Sequence, residues 1–442
     1  MYRISKYCHL IDNGNSYFLY NISNENIMAI QPELANLLVS HKNDVDVIKE
    51  IHPTFFEELL RRDSIVLSDI NESQMLIDKW KEADTNPKIF SLIVLPTLDC
   101  NLRCWYCYEK HNAGSVMKVD ILDRIKRLVE KRVASNELEN LSISFFGGEP
   151  LMGYSKIVWP LLAHAKEKCD QYGKKLRIGF TTNGTLITKK VIEDLGSLDC
   201  PINFQITLDG DKIRHDAVRH MRNGKSTYDL IVGNIKQLVR AAFIVSCRIN
   251  YTHDNMGYLN DIAPSFGDLS KEEGEHLQFY LQQVWQEQAE YNMEKEEEAV
   301  IEHFRKCGLM TSVPSKHMKQ RCYAESENCF VVSYNGDIYK CTAWDFTPER
   351  KEGVLQEDGT IKYNQVYKQR MEVKFGTEYC QACSIYPICH GAGCSQNKLE
   401  RTKFDMKEGC LFNYSESDKH DLIQERLKAA IELSIHSKSC IS

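Results

Sequence analysis

Residues 96–110 read PTLDCNLRCWYCYEK and set Cys100, Cys104 and Cys107 in a CxxxCxxC pattern. The apolar run IFSLIVLP, typical of a buried strand, comes directly before them. A [4Fe–4S] cluster takes four thiolates, so a loop that offers three leaves one iron with an open position. An open position on a bound metal indicates chemistry rather than structure alone. Zinc is the alternative, because His111 is near enough in sequence to complete a four-ligand site.

Three more segments carry glycine or polar residues directly after strand-like runs. They are Gly147-Gly148-Glu149-Pro150 after SISFF, Thr181-Thr182-Asn183-Gly184 after LRIGF, and Thr207-Leu208-Asp209-Gly210 after INFQI. In a β/α barrel the functional groups lie at the carboxyl ends of the strands. We therefore expect these segments and the cysteine loop, residues 100–107, to face one mouth.

Residues 88–290 alternate between strand and helix patterns. The strand-like runs are IFSLIVLP, LSISFF, LRIGFTT, INFQITL, VSCRINY and HLQFYLQ, and helical segments separate them. Six β/α units in sequence predict an α/β fold with a parallel sheet, either a partial barrel or an open sheet.

With these motifs the chain resembles the radical S-adenosylmethionine (SAM) superfamily. The resemblance covers residues 88–290 and rests on the cysteine loop, the GGEP segment and the strand order. It implies a partial (β/α)6 TIM-like barrel in which Cys100, Cys104 and Cys107 hold a [4Fe–4S] cluster that binds SAM. Reductive cleavage of SAM then gives a 5′-deoxyadenosyl radical that takes a hydrogen atom from the substrate, so the cofactor carries the hard chemistry.

The same resemblance implies a set of SAM contacts. The backbone of the Gly-Gly-Glu segment meets the SAM amino group, an aromatic ring of the cysteine loop lies near adenine, and two polar residues contact ribose or carboxylate. The Gly-Gly-Glu segment is Gly147, Gly148 and Glu149. The aromatic residue is Tyr106, and the two polar residues are Asn183 and Thr207.

Residues 299–415 carry a second cysteine pattern. It reads Cys322-x13-Gly336-x4-Cys341, then Cys380-x2-Cys383-x5-Cys389-x4-Cys394, then Cys410. This order resembles the SPASM domain, an auxiliary-cluster module that follows radical SAM barrels, although the family has one residue fewer before the cysteine at position 394. The resemblance implies two auxiliary [4Fe–4S] clusters. One is held by Cys380, Cys383, Cys389 and Cys410, and the other by Cys322, Cys341 and Cys394. A zinc-ribbon pair is the alternative.

The resemblance leaves the fourth ligand of the second auxiliary cluster open. Either Cys329 or Cys307 supplies it, or that iron stays open to substrate; a plain core thiol is the alternative for Cys329. The other cysteines are interpreted as buried or incidental thiols. They are Cys8, Cys169, Cys200, Cys247 and Cys440.

Residues 1–85 combine strand-like runs (SYFLYNI, NIMAI, SIVLS) with helical patterns (PELANLLVSH, DVDVIKEI, PTFFEELLRR), which suggests a winged-helix-like module. Its 8 Lys and Arg against 14 Asp and Glu make it a poor DNA binder. It resembles the elements that recognise the leader of a precursor peptide, and a purely structural cap is the alternative. A helical tail is predicted over residues 416–442.

Composition sets the remaining limits. The net charge of the 442 residues is −7, which gives no basic field for nucleic acid. The sequence shows no apolar signal core and no run of the roughly 20 apolar residues that a membrane helix needs. We therefore expect a cytoplasmic protein. Its 17 cysteines then favour metal ligation over disulfides.

A barrel followed by a SPASM domain resembles two kinds of enzyme. One modifies ribosomally made peptides (RiPPs) by cross-linking or oxidation, and the other is the anaerobic sulfatase-maturating type. The second carries Asp directly after the cysteine of Gly-x4-Cys, where this sequence has Thr342 and the nearest acid is Asp345. We therefore expect a peptide maturase served by a flavodoxin or ferredoxin. A non-catalytic iron–sulfur electron-transfer or sensor protein is the distant alternative.

Overall fold

The computed structural model describes residues 1–12, 14, 16–109, 111–287, 293–312, 321–391, 393–402 and 409–439. The chain divides into two compact units. The first unit comprises residues 1–85, 315–326 and 368–442, and the barrel unit comprises residues 86–314 and 327–367.

The N-terminal segment of the first unit contains two small sheets and a group of helices. Its strands are β1 (Tyr2–Ile4), β2 (Cys8–Asp12), β3 (Tyr17–Asn21), β4 (Asn26–Ile30) and β5 (Ile65–Leu67), and its helices are α1 (Pro32–Ser40), α2 (Asp46–Ile51), α3 (Pro53–Arg61) and α4 (Glu72–Asp84). Strand β1 pairs with β5, and β2, β3 and β4 form an antiparallel sheet in that order. The predicted strands β3, β4 and β5 and helices α1 to α3 are confirmed, whereas β1, β2 and α4 were not predicted.

The barrel unit contains the large sheet and the helices that cover it. Its strands are β6 (Ile89–Val94), β7 (Asn140–Phe145), β8 (Lys175–Thr182), β9 (Ile202–Leu208), β10 (Ile244–Tyr251), β11 (Leu277–Gln283), β12 (Met310–Thr311), β13 (Cys329–Val332), β14 (Asp337–Tyr339), β15 (Gly353–Leu355) and β16 (Ile361–Tyr363). Its helices are α5 (Val119–Val133), α6 (Trp159–Tyr172), α7 (Lys189–Gly196), α8 (Lys212–Val218), α9 (Tyr228–Arg240), α10 (Lys271–Gly274) and α11 (Glu294–Lys306).

Strands β6 to β11 lie side by side in chain order, and every neighbouring pair is parallel. This arrangement confirms the predicted α/β fold class with a partial (β/α)6 barrel. Strand β13 adds to the free side of β6 in parallel, and β14 to β16 continue the sheet as an antiparallel meander. That extension was not predicted, because residues 327–367 gave only a cysteine-rich, loop-rich pattern.

The core of the barrel unit lies between the sheet and its helices. Phe145, Phe180 and Phe204 stack across β7, β8 and β9 with ring centroids 5.1 and 5.0 Å apart. The buried stripe of α5, which includes Ile125 and Val129, packs into the same core. Alternate strand residues are thereby fixed inward or outward, which sets the direction of the side chains at the strand ends.

The remaining helices are α12 (Gln365–Val373), α13 (Glu378–Ala382), α14 (Tyr386–Cys389), α15 (Ser395–Thr402) and α16 (Glu416–Ser439). Helices α13 to α16 belong to the first unit, where Trp80 of α4 packs on Tyr386 of α14 with ring centroids 5.1 Å apart. Residues 299–415 thus contribute to both units, and the predicted domain boundaries stay a prediction. The C-terminal helical pattern is confirmed as α16, with residues 440–442 outside the described part. No described helix is both long and apolar enough to cross a membrane.

Candidate active site

The cysteine loop follows β6 and is held by its own backbone and by the loop after β8. The Sγ of Cys100 is approached by the backbone N–H of Leu102 at 3.4 Å and by Asn183 Nδ2 at 3.6 Å. The N–H of Cys107 donates to the carbonyl of Cys104 at 3.2 Å, which keeps the last two cysteines in one turn. N–H groups directed at sulfur are typical of thiolates that ligate iron–sulfur clusters, so the loop fits the cluster that the sequence predicts.

Burial changes the acidity of these thiols. It raises the pKa of Cys100 to about 12 and that of Cys107 to about 11, and it also raises the pKa of Cys104. The thiols are therefore protonated at neutral pH in the metal-free chain. Cluster binding must release protons, and the gain from iron–sulfur bonds offsets that cost.

The loop after β7 requires its two glycines. Gly147 has φ +95°, and a Cβ there would lie 2.7 Å from the carbonyl oxygen of Thr97. A Cβ on Gly148 would lie 2.1 Å from the carbonyl oxygen of Asp99, which is closer than any real contact. The N–H of Glu149 then donates to that same oxygen at 2.8 Å. The glycines thus allow the GGEP segment to pack directly on the residue that precedes the cysteine loop.

The Glu149 side chain joins the ends of β7 and β8 through hydrogen bonds. It is fully buried, and its carboxylate accepts hydrogen bonds from Leu151 N at 2.9 Å, Thr182 Oγ1 at 2.8 Å and Asn183 N at 2.8 Å. Asn183 in turn donates to Asn101 Oδ1 at 2.8 Å. The loops after β7 and β8 and the cysteine loop therefore form one hydrogen-bonded assembly, as expected from their shared position.

Tyr106 connects the cysteine loop to the ends of β9 and β10. Its hydroxyl donates to the Asp209 carboxylate at 2.7 Å and accepts from Arg219 Nη1 at 2.9 Å and Asn250 Nδ2 at 3.0 Å. Burial raises the pKa of Asp209, while the positive charge of Arg219 lowers it. The phenol is thus the shared partner of a buried charge pair.

Arg219, Asn250 and the side chain of Asp209 were not among the predicted site residues. Arg219 is 7% exposed, its Nε is a buried donor with no hydrogen-bond partner, and its charge acts on Cys104. An unpaired buried donor beside a ligand cysteine is ready to receive an acceptor from a bound molecule. For Asp209 and Asn250, a position at the end of a predicted strand was a signal that could have identified them as site residues. Arg219 lies after α8, and nothing local in the sequence marks it.

Thr207 lies on β9 and is half-buried, with its face opposite that of the buried Ile206 and Leu208. Its partner in the parallel register is Arg248 of β10. The contacts with SAM that are predicted for Thr207, Tyr106, Asn183 and the Gly-Gly-Glu segment stay predictions.

Four predicted ligands of one auxiliary cluster line a single cavity in the first unit. The lining of this cavity includes Cys380, Cys383, Cys389 and Cys410. The other lining residues are mostly apolar: Tyr379, Ile385, Tyr386, Gly391, Leu411 and Phe412. Four thiols around one apolar void fit a [4Fe–4S] cluster, which takes four cysteine ligands.

The predicted ligands of the second auxiliary cluster do not all belong to one unit. Cys322 and Cys394 belong to the first unit and Cys341 to the barrel unit, so this set stays a prediction. Cys307 is exposed, with Sγ 3.6 Å from His303 Nε2. Among the described residues, no group of three His, Cys, Asp or Glu side chains stands ready to hold a single metal ion.

Comparison with known proteins gives a match to one family model. Residues 94–262 match the model of the radical SAM superfamily. Over 311 residues the chain is 26% identical to the radical SAM cyclopropyl synthase TigE of Paramaledivibacter caminithermalis, covering 60% of this chain and 64% of that relative. It is 24% identical over 349 residues to a cysteine-type anaerobic sulfatase-maturating enzyme of Clostridium novyi, covering 70% of this chain and 89% of that enzyme.

The fold also matches a solved structure. Native anSMEcpe with bound AdoMet superposes with a TM-score of 0.55 at 19% identity, covering 79% of this chain and 99% of that one. This similarity establishes a common fold.

Proposed function

The chain carries a radical SAM domain over residues 94–262, and from this premise we propose that it is a maturase that modifies a ribosomally made precursor peptide. This domain supports an enzyme that uses SAM and a [4Fe–4S] cluster. When bound, that pair supplies a radical able to remove hydrogen from an unactivated carbon. The proposed outcome is a thioether, C–C or ether cross-link, or an oxidation.

One observation carries the assignment of the reaction centre. The cysteine loop is tied by direct hydrogen bonds to the ends of β8, β9 and β10, and the backbone of the β7 loop packs on it. Cys100, Cys104 and Cys107 would hold the cluster. Arg219, whose buried Nε lacks a partner, is positioned to receive a carboxylate, and SAM carries one. Asn183 and Asn101 hold the Cys100 side of the loop in place.

The proposed peptide substrate is supported by the N-terminal sheet and by two of the similar proteins. The antiparallel sheet of the first unit has two outer strands, β2 and β4, and an extended leader peptide can add to such an edge. A bound leader would hold the core peptide at high effective concentration. One similar relative is a cyclopropyl synthase, and anSMEcpe has been solved with peptides bound.

A sulfatase maturase is the second candidate, because the sequence matches include enzymes of that type. In this chain Thr342 occupies the position after Cys341, and its carbonyl accepts a hydrogen bond from Tyr108 Oη at 2.5 Å. The nearest acid, Asp345, forms an ion pair with Arg350. The Asp345 carboxylate is thus engaged by Arg350 and does not follow Cys341 directly, which favours the first candidate.

An auxiliary cluster and an electron donor complete the proposal. The cavity lined by Cys380, Cys383, Cys389 and Cys410 supports an auxiliary [4Fe–4S] cluster, and a flavodoxin or ferredoxin in the cytoplasm would deliver electrons. Each additional cluster provides a site that can accept an electron from a product radical.

The test has two stages under anaerobic conditions. The purified protein is first incubated with SAM and dithionite, and 5′-deoxyadenosine is measured for the wild type, Cys104→Ala and Cys200→Ala. Cys200 lies outside the site, so we expect product from the wild type and from Cys200→Ala and none from Cys104→Ala. Equal product from Cys104→Ala would refute the cluster assignment.

The second stage identifies the substrate. The protein is co-expressed with short peptides encoded next to its gene, and separately with a sulfatase peptide that contains the target cysteine or serine. Loss of hydrogens from a neighbouring peptide supports the RiPP maturase. Conversion of the sulfatase peptide to formylglycine, with the neighbouring peptides unchanged, would reject it.

A further inference from the structure

The inner face of the barrel sheet is the face that the helices of the barrel unit do not cover. On β9, β10 and β11 the residues that pack on the helices are buried, whereas the alternating residues of the inner face are polar and mostly half-buried. Three of them lie side by side, because the parallel register pairs Arg248 with Thr207 on one side and with Tyr280 on the other. Arg248 is therefore the centre of a polar row that stays partly accessible.

Hydrogen bonds connect Arg248 to the reaction centre. Its Nε donates to Asn250 Oδ1 at 2.8 Å, and Asn250 Nδ2 donates in turn to the hydroxyl of Tyr106 at 3.0 Å. Arg248 thus lies on the same face of the sheet as the cysteine loop, two residues before Asn250 along β10. Two residues of a strand span roughly 7 Å. A group bound at Arg248 would therefore lie beside the molecule that the cysteine loop holds.

The guanidinium group of Arg248 has no carboxylate within ion-pair distance in the part of the chain that the structure describes. The two carboxylates at the neighbouring strand ends are engaged by other donors. Asp209 receives the hydroxyl of Tyr106, and Glu149 accepts three hydrogen bonds from the loops after β7 and β8. A half-buried charge without a counter-charge is costly, and a bound anion would remove that cost.

Two other arginines of the barrel unit show the difference. Arg240, at the exposed end of α9, pairs with Asp268 at 3.1 Å, and Arg214 pairs with Asp211 at 3.0 Å. Each of them has its counter-charge on the protein itself. Arg248 differs because it combines a position on the inner face with a neutral hydrogen-bond partner.

Tyr280 adds a second polar group beside the guanidinium. Burial raises the pKa of the Tyr280 phenol, although the charge of Arg248 and a hydrogen bond between the two side chains lower it. The protonated phenol is a hydrogen-bond donor. Arginine binds carboxylates through two parallel hydrogen bonds, so a guanidinium beside a phenol is well suited to a carboxylate.

We propose that Arg248, with Tyr280 beside it, binds a carboxylate group of the peptide substrate and holds that part of the peptide next to the reaction centre. This inference rests on the proposed function, because it names the chemistry of the peptide that enters the barrel unit. An aspartate or glutamate side chain and a free peptide C-terminus present the same chemistry, and the test separates them. The carboxylate of SAM is assigned to Arg219, so Arg248 is not needed for SAM binding.

The test uses four tripeptides as probes. Three are acetylated and amidated, with the sequences Gly-Asp-Gly, Gly-Glu-Gly and Gly-Asn-Gly, and the fourth is acetylated Gly-Gly-Gly with a free carboxyl group. Dissociation constants are measured by NMR titration of the anaerobically reconstituted, full-length protein with SAM and no reductant. The proteins are the wild type, Arg248→Gln, Arg248→Lys and the control Arg240→Gln.

We expect the wild type and Arg240→Gln to bind a carboxylate probe at least about tenfold more tightly than the asparagine probe, because a hydrogen-bonded charge is replaced by a neutral amide. Arg248→Gln should lose this preference. Arg248→Lys keeps the positive charge and should retain part of it, and this variant also serves if Arg248→Gln folds poorly. Preference for the aspartate or glutamate probe identifies a side chain as the recognised group, whereas preference for the free acid of Gly-Gly-Gly identifies a C-terminus.

Two results would overturn the inference. One is a wild-type protein that does not bind any carboxylate probe more tightly than the asparagine probe. The other is an Arg248→Gln protein that keeps the wild-type preference but binds SAM at least about tenfold more weakly, which would assign Arg248 to SAM. Formation of 5′-deoxyadenosine by the wild type with dithionite is measured in parallel. Its absence marks failure of the proposed function, whereas normal formation without a carboxylate preference marks failure of this inference alone.

Discussion

The hydroxyl of Tyr106 donates a hydrogen bond to the carboxylate of Asp209 at 2.7 Å, although 103 residues separate them in sequence. This bond joins the middle of the cysteine loop to the end of β9. Arg219 and Asn250 donate to the same hydroxyl, so one phenol organises three buried polar groups. Loss of that oxygen leaves all three without their shared partner.

Tyr106→Phe removes only this oxygen and keeps the ring. A buried polar group that loses its partner costs roughly 1–3 kcal/mol, so we expect a destabilisation of that size together with slower SAM cleavage. Thermal unfolding and the 5′-deoxyadenosine rate measure the two effects. Tyr172→Phe, on an exposed helix end, is the control and should change neither. Wild-type stability and rate in Tyr106→Phe would show that the network has no such role.

Gly148→Ala would place a methyl group 2.1 Å from the carbonyl oxygen of Asp99. Backbone on both sides must then move, at a cost of about 3 kcal/mol or more, and the cysteine loop loses its support. We expect a lower melting temperature and loss of the SAM-binding cluster by iron analysis. Gly233→Ala in α9 is the control, because no atom lies within 4 Å of its added Cβ. We expect the free energy of unfolding of Gly233→Ala to rise by roughly 0.5–1 kcal/mol.

His215 makes the stability of the metal-free barrel depend on pH. Its Nδ1 accepts from the N–H of Asp209 at 3.2 Å, so the neutral ring donates from Nε2 to Thr227 at 3.1 Å. Burial, and then the charge of Arg219, lower the pKa of His215 well below 6.5. The unfolded chain therefore binds a proton below about pH 6.5 that the folded chain excludes, and stability falls as pH falls.

We expect the free energy of unfolding to fall by up to about 1.4 kcal/mol for each pH unit below pH 6.5. Urea unfolding of the metal-free protein between pH 5 and 8 measures it. His215→Asn keeps an acceptor near the position of Nδ1 and should flatten this dependence. His253→Gln, which changes an exposed histidine, should retain the wild-type slope. Parallel slopes for His215→Asn and the wild type would assign the acid sensitivity to other groups.

Lys398 places a buried ammonium group near cluster ligands. Lys398 lies on α15 and is 1% exposed. Its backbone N–H donates to the carbonyl of Cys394 at 3.1 Å, and its Nζ donates to the carbonyl of Lys374 at 2.6 Å. Burial lowers its pKa to about 8, although Glu325, Cys380 and Cys394 favour its charged form. A nearby positive charge stabilises the reduced, more negative state of a cluster.

Lys398→Met should therefore make the auxiliary cluster proposed for the Cys380 cavity harder to reduce. The midpoint potential, from a redox titration followed by EPR, should shift to more negative values. Exposed Lys428 offers the control variant Lys428→Met, for which no shift is expected. A potential that stays constant in Lys398→Met would place this cation too far from the cluster to act on it.

Sequence patterns predicted the local elements of the barrel unit well. Runs such as LSISFF and LRIGFTT became β7 and β8 because apolar residues alternating along a strand are a local signal. The glycines of the GGEP segment were recognised as a motif, but their steric reason, the approach of the Thr97 and Asp99 carbonyls, appears only in three dimensions.

The sequence by itself determined the cysteine spacing, the six strand segments of the barrel and the position of polar loops at their ends. These features depend on neighbours within a few residues, where side-chain chemistry and periodicity act directly. Only the tertiary structure decided that β13 joins β6 and that Arg219 and Asn250 meet the hydroxyl of Tyr106. Those contacts join residues far apart in the chain, and packing of the whole sheet, rather than any local propensity, selects them.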